Sequence, residues 1–492
     1  MVELSRAARL APLIVGVLGA AVSLAGAARP SFWYDEAATI SASYSRPLSE
    51  LWQMLGHVDA VHGLYYLLMH GWFAVAPPTE FWARVPSGLA VGAAAAGLVV
   101  LGTRLASLGT GVVAGVLLAV LPRATWAGVE ARPYALTMAL AVWLTVALTW
   151  ALNRQTRWAW LGYGALLTVS VVFDVFLALL AFAHVCYVAV TRRPARGFWV
   201  SATAALVLTA PFVALVARQA RQISWVGPIS GRTIEDVAVQ QYFDRNPYFA
   251  LLAALLLVVA ARRLGAVPES VVLAVAWMVV PTAVIIVYSL LAEPLYTPRY
   301  LCFTAPAVAL LLGLCVVAVT RAPWQAVAVV AAFAVAATHS YVAAQRSTYA
   351  KYGMDYSRVA DVIAAHASPG DCLLVNDTVT FHPAPLRPLL AARPQSFRPL
   401  VDVSLWQRAT DIDAVFDTNL VPEASVGPLQ HCATVWVLTQ ADPQAPGHET
   451  GVAIPPGPLF GGTTAFAVTR DLGFRLVERW QCSLVQVIKA IR

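Results

Sequence analysis

Phe32-Trp33-Tyr34-Asp35-Glu36 follows closely on the apolar run 10–28, and the reading of the chain turns on what two carboxylates do there. Aromatic residues favour the membrane interface, whereas ionisable groups at that depth face a cavity or find partners. Asp35 and Glu36 are therefore functional candidates. The plainer reading is an outer loop that simply begins with acids. The run before them also resembles a signal peptide, with Arg6 and Arg9 ahead of it and Ala25-Gly26-Ala27 near its end. It is nevertheless long enough to span a bilayer, about 20 residues, where a signal h-region has about 7–15, so it is read as a retained span.

The rest of the chain follows suit. Its 492 residues are 59% hydrophobic and 12% charged, with a mean hydropathy of +0.68, which excludes an ordinary soluble domain. The net charge of +7 comes from arginine, since Lys351 and Lys489 are the only lysines. Those arginines are scattered between apolar runs, and no basic tract with interleaved aromatics points to nucleic acid.

Apolar stretches fall near 10–28, 84–101, 106–122, 134–151, 158–173, 175–190, 198–217, 248–261, 270–291, 300–319 and 325–343, about eleven spans by length. Alternate connections carry Arg104, then Arg154 with Arg157, Arg192 with Arg193 and Arg196, Arg262 with Arg263, and Arg321. By the positive-inside rule these face the cytoplasm together with the N-terminus. The outer side then receives the long loop 29–83, the turn around Glu130, residues 218–247 and 292–299, and everything after about 344. That orientation depends on Phe173-Asp174 being a turn. Within the first loop, 47–56 reads as an amphipathic helix suited to the interface, with Leu48, Leu51, Trp52 and Leu55 on one face. Gly88, Gly92 and Gly97 suggest close helix packing.

The fold expected is a polytopic α-helical membrane protein, residues 1–343, followed by a periplasmic α/β domain over 344–492. A helix over 356–367, a Pro369-Gly370-Asp371 turn, and strand-like runs at 372–376, 434–439 and 474–488 mark that domain. Cys186, Cys302 and Cys315 read as apolar packers inside spans. Cys372, Cys432 and Cys482 each border a strand, and the sequence leaves open which two would form a disulfide.

Three further outer sites carry charge beside apolar spans: Asp59-Ala60-Val61-His62-Gly63-Leu64-Tyr65-Tyr66, Glu130-Ala131-Arg132-Pro133-Tyr134, and Tyr296-Thr297-Pro298-Arg299-Tyr300. Each has a plain reading of its own: Glu130 could pair with Arg132, Arg299 could snorkel, His62 could bond backbone. Convergence of all three on one side of the membrane favours a site.

With Trp33-Tyr34-Asp35-Glu36, Met69-His70-Gly71-Trp72 and Arg84-Val85-Pro86-Ser87, these motifs resemble the GT-C superfamily of polytopic glycosyltransferases over about 16–343. The branch indicated is the bacterial one related to protein O-mannosyltransferases and lipid A aminoarabinose transferases. The resemblance implies transfer of a sugar, mannose or arabinose, from a polyprenyl-phosphate donor to an extracytoplasmic glycolipid, glycan or protein, at the bacterial cytoplasmic membrane. An inverting displacement at an anomeric carbon needs a base, positive charge for the departing phosphate, and a dry pocket. Asp35 is the expected base. Glu36 orients it, holds a divalent cation (with His62 as a further candidate ligand), or stays protonated beside it. Arg132 and Arg299 are the expected phosphate ligands, with Tyr134 and Tyr300 as hydroxyl donors or walls. Asp59, His62, Tyr65 and Glu130 are additional candidates. Asp411-Ile412-Asp413 matches the Asp-x-Asp of nucleotide-sugar enzymes but lies in the outer domain, out of context. A transporter or flippase of a lipid-linked sugar is the principal rival and predicts discontinuous helices and repeated halves; no repeat is visible. A membrane-anchored scaffold is a third reading, and it leaves the acids beside the spans without purpose.

Overall fold

A computed structural model of the chain describes residues 6–263, 268–376 and 385–492. They form two compact units. The described residues up to Ala27, with Asp59–Tyr65 and Arg84–Gln345, make the first; Ala28–Val58, Tyr66–Ala83 and Arg346–Arg492 make the second.

The first unit is helical. Among the described residues, six helices are long and apolar enough to cross a membrane: Glu80–Leu105, Tyr134–Arg154, Arg196–Arg218, Glu269–Leu291, Pro298–Val319 and Pro323–Ala344. Four other expected spans are shorter apolar helices, Arg9–Leu24, Leu108–Val120, Arg157–Phe173 and Val175–Thr191. The remaining one, at 248–261, is an arm of the broken pair Arg232–Phe243 and Pro247–Ala261, bent by 91°. The break has a local cause. Asp244 and Arg245 both take left-handed backbone, at φ 48° and 59°, which no helix continues through. Asn246 then caps the new helix by accepting from Phe249 N at 2.9 Å, with Pro247 in the first helical position.

The turn expected at Phe173-Asp174 is present. The preceding helix stops at Phe173, and the Asp174 carboxylate accepts from Phe176 N at 3.0 Å, capping a short 3-10 turn. Glycine packs the first helix against the helix Glu80–Leu105: a Cβ on Gly92 would lie 2.5 Å from the Gly16 carbonyl, so only hydrogen fits. Gly88 meets Leu24 in the same way, while Gly97 meets Val142. Arg84, fully buried, donates to the Ala27 carbonyl at 2.7 Å just past the end of the first helix.

Among the described residues the second unit holds a six-stranded sheet, β1 (Cys372–Val375), β2 (Val401–Asp402), β3 (Thr434–Gln440), β4 (His448–Thr450), β5 (Arg475–Gln481) and β6 (Val485–Ile491). Its order is β2-β1-β3-β6-β5-β4, with β1 parallel to β2 and β3, and the remaining pairs antiparallel. The helix Tyr356–His366 precedes β1 as its sequence suggests. The sequence draws one boundary, at 343. In the structure, most of the first loop shares this unit with the C-terminal residues. Ser31 N donates to the Thr348 carbonyl, Phe32 N to Ser357 Oγ at 2.9 Å, Ser41 Oγ to the Val415 carbonyl at 2.6 Å, and Arg393 forms an ion pair with Glu80. In the amphipathic helix Leu48–His57, Leu51 and Leu55 are buried while Leu48 and Trp52 are exposed.

Cys372 and Cys432 form a disulfide, with Cα atoms 6.0 Å apart, and Cys482 is a free thiol. The bridge closes a sequence separation of 60 residues, for which chain entropy assigns about 4 kcal/mol. Replacing both cysteines by serine should lower the unfolding midpoint of the second unit, checked by limited proteolysis on heating; an unchanged midpoint would remove the bridge from its stability.

Asp355 provides a second test. Its fully buried carboxylate accepts from Leu484 N at 2.8 Å and Val485 N at 2.9 Å, pinning the β5–β6 turn to the start of the helix Tyr356–His366. Burial outweighs those hydrogen bonds and pushes its pKa up to about 6. A raised carboxylate binds its proton more tightly folded than unfolded. Its stabilising contribution is thus complete below about pH 4, declines as pH rises to about 6, and stays lost above. The loss should be on the order of 2–3 kcal/mol. Asp355→Asn should flatten that slope in thermal melts at pH 4.5 and 7.

Candidate active site

The first unit concentrates cations and aromatics on three connections. Residues 128–133 join the helices Pro122–Ala127 and Tyr134–Arg154. Ser87 Oγ donates to the Glu130 carbonyl at 2.6 Å and lies 3.4 Å from that of Arg132, which fixes this turn against the helix Glu80–Leu105. Glu130 is fully buried and Arg132 nearly so. Arg132 Nη2 donates to His62 Nε2 at 2.7 Å. Because a guanidinium can only donate, that nitrogen is the acceptor, and the neutral ring carries its proton on Nδ1. Desolvation, followed by the positive charges of Arg132 and Arg299, holds the His62 pKa well below its ordinary value. His62 therefore stays neutral, and its Nε2 lone pair is already committed to Arg132 rather than free for a metal.

His62 closes the short turn Ala60–His62, which starts from Asp59 in left-handed backbone at φ 58°. Two glutamines hold that turn: Gln222 Oε1 accepts from Asp59 N at 3.1 Å and Gln219 Oε1 from Ala60 N at 2.9 Å. Both belong to the connection after the helix Arg196–Arg218, the same one that carries Trp225.

Arg299 lies in the first turn of Pro298–Thr304. Its guanidinium sits 4.6 Å from the Trp225 ring centre and 5.9 Å from that of Tyr300. Tyr300 in turn stacks on Phe176 at 5.2 Å, and Phe176 is the residue whose N–H Asp174 caps. Tyr65, fully buried, meets Phe173 edge-on at 6.4 Å. The Arg299 turn is braced from the other side by Gln241, which donates to Thr304 Oγ1 at 3.3 Å and accepts from the Tyr296 hydroxyl at 3.1 Å. Arg123, 2% exposed, donates to the Gln240 and Gln241 carbonyls and pairs with Asp244 at 3.4 Å. Tyr134 packs at a tilt against Trp126, ring centres 5.3 Å apart, and the Arg123 guanidinium lies 4.7 Å from the centre of the same Trp126 ring.

The structure thus groups Asp59, His62, Tyr65, Glu130, Arg132, Tyr134, Arg299 and Tyr300 in one unit, with contacts joining His62 to Arg132 and Tyr300 to Arg299. The sequence reading missed Gln219, Gln222, Trp225, Phe176 and Arg123. The signal for the first three was an outer connection at 218–247 with two glutamines three residues apart and a tryptophan close behind; Phe176 and Arg123 lie outside it.

Asp35 and Glu36 lie in the second unit, in the first turn of the helix Tyr34–Ser43. Carboxylates are favoured there by the exposed N–H groups of a helix N-terminus. Glu36 is fully buried and Asp35 half-buried. The helix is anchored along its length. Tyr34 packs on Phe416 at 5.1 Å, Trp33 on Tyr352 at 5.1 Å, Ser41 bonds the Val415 carbonyl, and Arg46, just beyond, reaches the Ala414 and Val415 carbonyls. Among the described residues no group of three or more His, Cys, Asp or Glu side chains is arranged to hold a metal ion. Asp413 of the Asp-x-Asp match takes left-handed backbone and pairs with His57 at 3.4 Å.

An apolar cavity of about 430 Å³ opens within the first unit, lined by Ala21, Val22, Ala25, Val120, Ala337 and Tyr341 among others.

No family model and no curated protein matches the sequence. Solved structures do. The crystal structure of ArnT from Cupriavidus metallidurans in the apo state matches 97% of this chain and 97% of its own, at a TM-score of 0.59 and 15% identity. The oligosaccharyltransferase of Archaeoglobus fulgidus, tethered with an acceptor peptide containing the NVT sequon, matches 89% of this chain and 70% of its own, at a TM-score of 0.45 and 12% identity. Along nearly its whole length the chain has the fold of that ArnT structure, here a set of apolar helices joined to a sheet-bearing unit.

Proposed function

We propose that this protein is a membrane glycosyltransferase that moves a sugar from a polyprenyl-phosphate donor to an acceptor outside the cytoplasmic membrane. The observation that carries the reading is the cluster in which Arg132 donates to a neutral His62, Arg299 acts electrostatically on the same ring, and the Trp225 and Tyr300 rings pack on Arg299. Two guanidiniums around an uncharged imidazole make a site for an anion, and guanidinium binds phosphate oxygens bidentately while keeping its charge near lipid. The ArnT-like fold supports a lipid-linked donor. The cavity between the helices suits the hydrocarbon of its prenyl chain.

In this reading an acceptor hydroxyl attacks the anomeric carbon, the bond from that carbon to the phosphate oxygen breaks, and configuration inverts. Asp35 takes the hydroxyl proton, Glu36 orients Asp35 or shares a divalent cation with it, and Arg132 and Arg299 receive the phosphate. Mannose or arabinose is the sugar class proposed, with a glycolipid, glycan or protein as acceptor. The first unit lies in the cytoplasmic membrane with its N-terminus inside and residues after about 344 in the periplasm.

One observation favours the transporter reading: the broken pair Arg232–Phe243 and Pro247–Ala261 is the kind of interrupted helix that transporters use. Purified protein in lipid nanodiscs with a polyprenyl-phosphate sugar and candidate acceptors decides the matter. Release of polyprenyl phosphate with formation of a glycosylated acceptor is expected. Movement of intact donor across vesicles, without transfer, would establish the transporter instead.

A further inference from the structure

Trp225 lies in the non-helical stretch between Ala220–Ile223 and Arg232–Glu235. Its ring carries the Arg299 guanidinium 4.6 Å from its centre and meets Tyr300 edge-on at 6.4 Å, yet the residue is 54% exposed. An ordinary interfacial tryptophan sits at a helix end and faces lipid. This one is on a stretch whose Gln219 and Gln222 hold the His62 turn, so its position is tied to the cations of the site.

The chemistry of the donor says what such a surface would meet. In a lipid-phosphate sugar the anomeric oxygen is itself a phosphate oxygen, so a phosphate on Arg299 carries the sugar ring directly beside it. A sugar ring presents a face of C–H groups, which is apolar and slightly positive, and an indole face is apolar and negative. At the transition state the anomeric carbon gains positive charge, which an aromatic face also attracts.

We propose that Trp225 is a specificity-determining residue whose exposed face is the platform for the transferred sugar. This rests on the donor-phosphate role of Arg299. The test compares Trp225→Ala and Trp225→Phe in the full chain in nanodiscs, measuring Kd for polyprenyl phosphate without sugar and for the same lipid carrying a hexose or a pentose. Trp225→Ala should weaken the sugar-bearing lipids about tenfold and the sugar-free lipid less than about twofold, and Trp225→Phe should recover most of that loss. Equal weakening of both ligands would reduce Trp225 to a brace for Arg299, and no weakening would make it an interface anchor; either overturns the proposal. Unaltered sugar-free binding in Arg299→Ala is a separate outcome that removes the phosphate reading itself. Should Trp225→Ala fail to fold, the hexose-to-pentose affinity ratio of Trp225→Phe serves, and an unchanged ratio overturns the proposal.

Discussion

Asp35→Asn is expected to fold, to bind donor normally, and to lose transfer by roughly 10² to 10⁴, the range that general-base catalysis supplies. Asn keeps the shape of the side chain and its place in the first helical turn while removing the group that accepts a proton. The helix Tyr34–Ser43 is held by Tyr34–Phe416, Ser41–Val415 and nearby Arg46, contacts that the substitution leaves in place. Glu36→Gln separates two roles for the second acid. A loss well below that of Asp35→Asn marks a group that orients its neighbour. A comparable loss, together with a rate that responds to chelator and added divalent ion, marks a metal ligand. Transfer by purified wild type and both variants, with the donor Kd measured in parallel, is the experiment. Full activity in Asp35→Asn would return these acids to favourable charges at a helix N-terminus.

How much of this was legible in the sequence depends on how local the cause is. Hydropathy located the six long apolar helices found among the described residues, and Pro298-Arg299-Tyr300, Glu130 and the break at Asp174 could be read because charge, proline or a capping acid stands at a helix end. The 91° break at 244–246 was not legible, since neither Asp244 nor Arg245 advertises the left-handed backbone it takes. Arg123, Gln240, Gln241, Asp244 and Gln345 build a buried polar network there from residues far apart in sequence. The same holds for Gln219 and Gln222, whose partners are backbone N–H groups about 160 residues earlier. The first loop shows the limit most clearly. Its acids could be singled out, but its hydrogen bonds run to Thr348, Ser357 and Val415, and no periodicity within 29–83 announces them.

Removing the guanidiniums should act on binding where removing Asp35 acts on rate. Arg132→Ala and Arg299→Ala are each expected to weaken polyprenyl phosphate by about ten- to a hundredfold, since a lost charge-assisted contact costs about 1.5 to 3 kcal/mol. The double variant should fall short of the product, because one phosphate can turn toward whichever cation remains. Lysine at either position restores charge but not the planar fork, so it should recover part of the affinity. His62 offers an independent reading of the same cluster. Arg132 and Arg299 both depress its pKa, after desolvation, so either alanine variant should let that pKa rise toward its ordinary value, followed by NMR titration of the ring. Arg132→Ala also removes the donor to Nε2 and should give the larger rise. A risen histidine pKa with unchanged lipid affinity would mean that the cluster is assembled as described but holds no phosphate, and the donor would have to be sought elsewhere in the first unit.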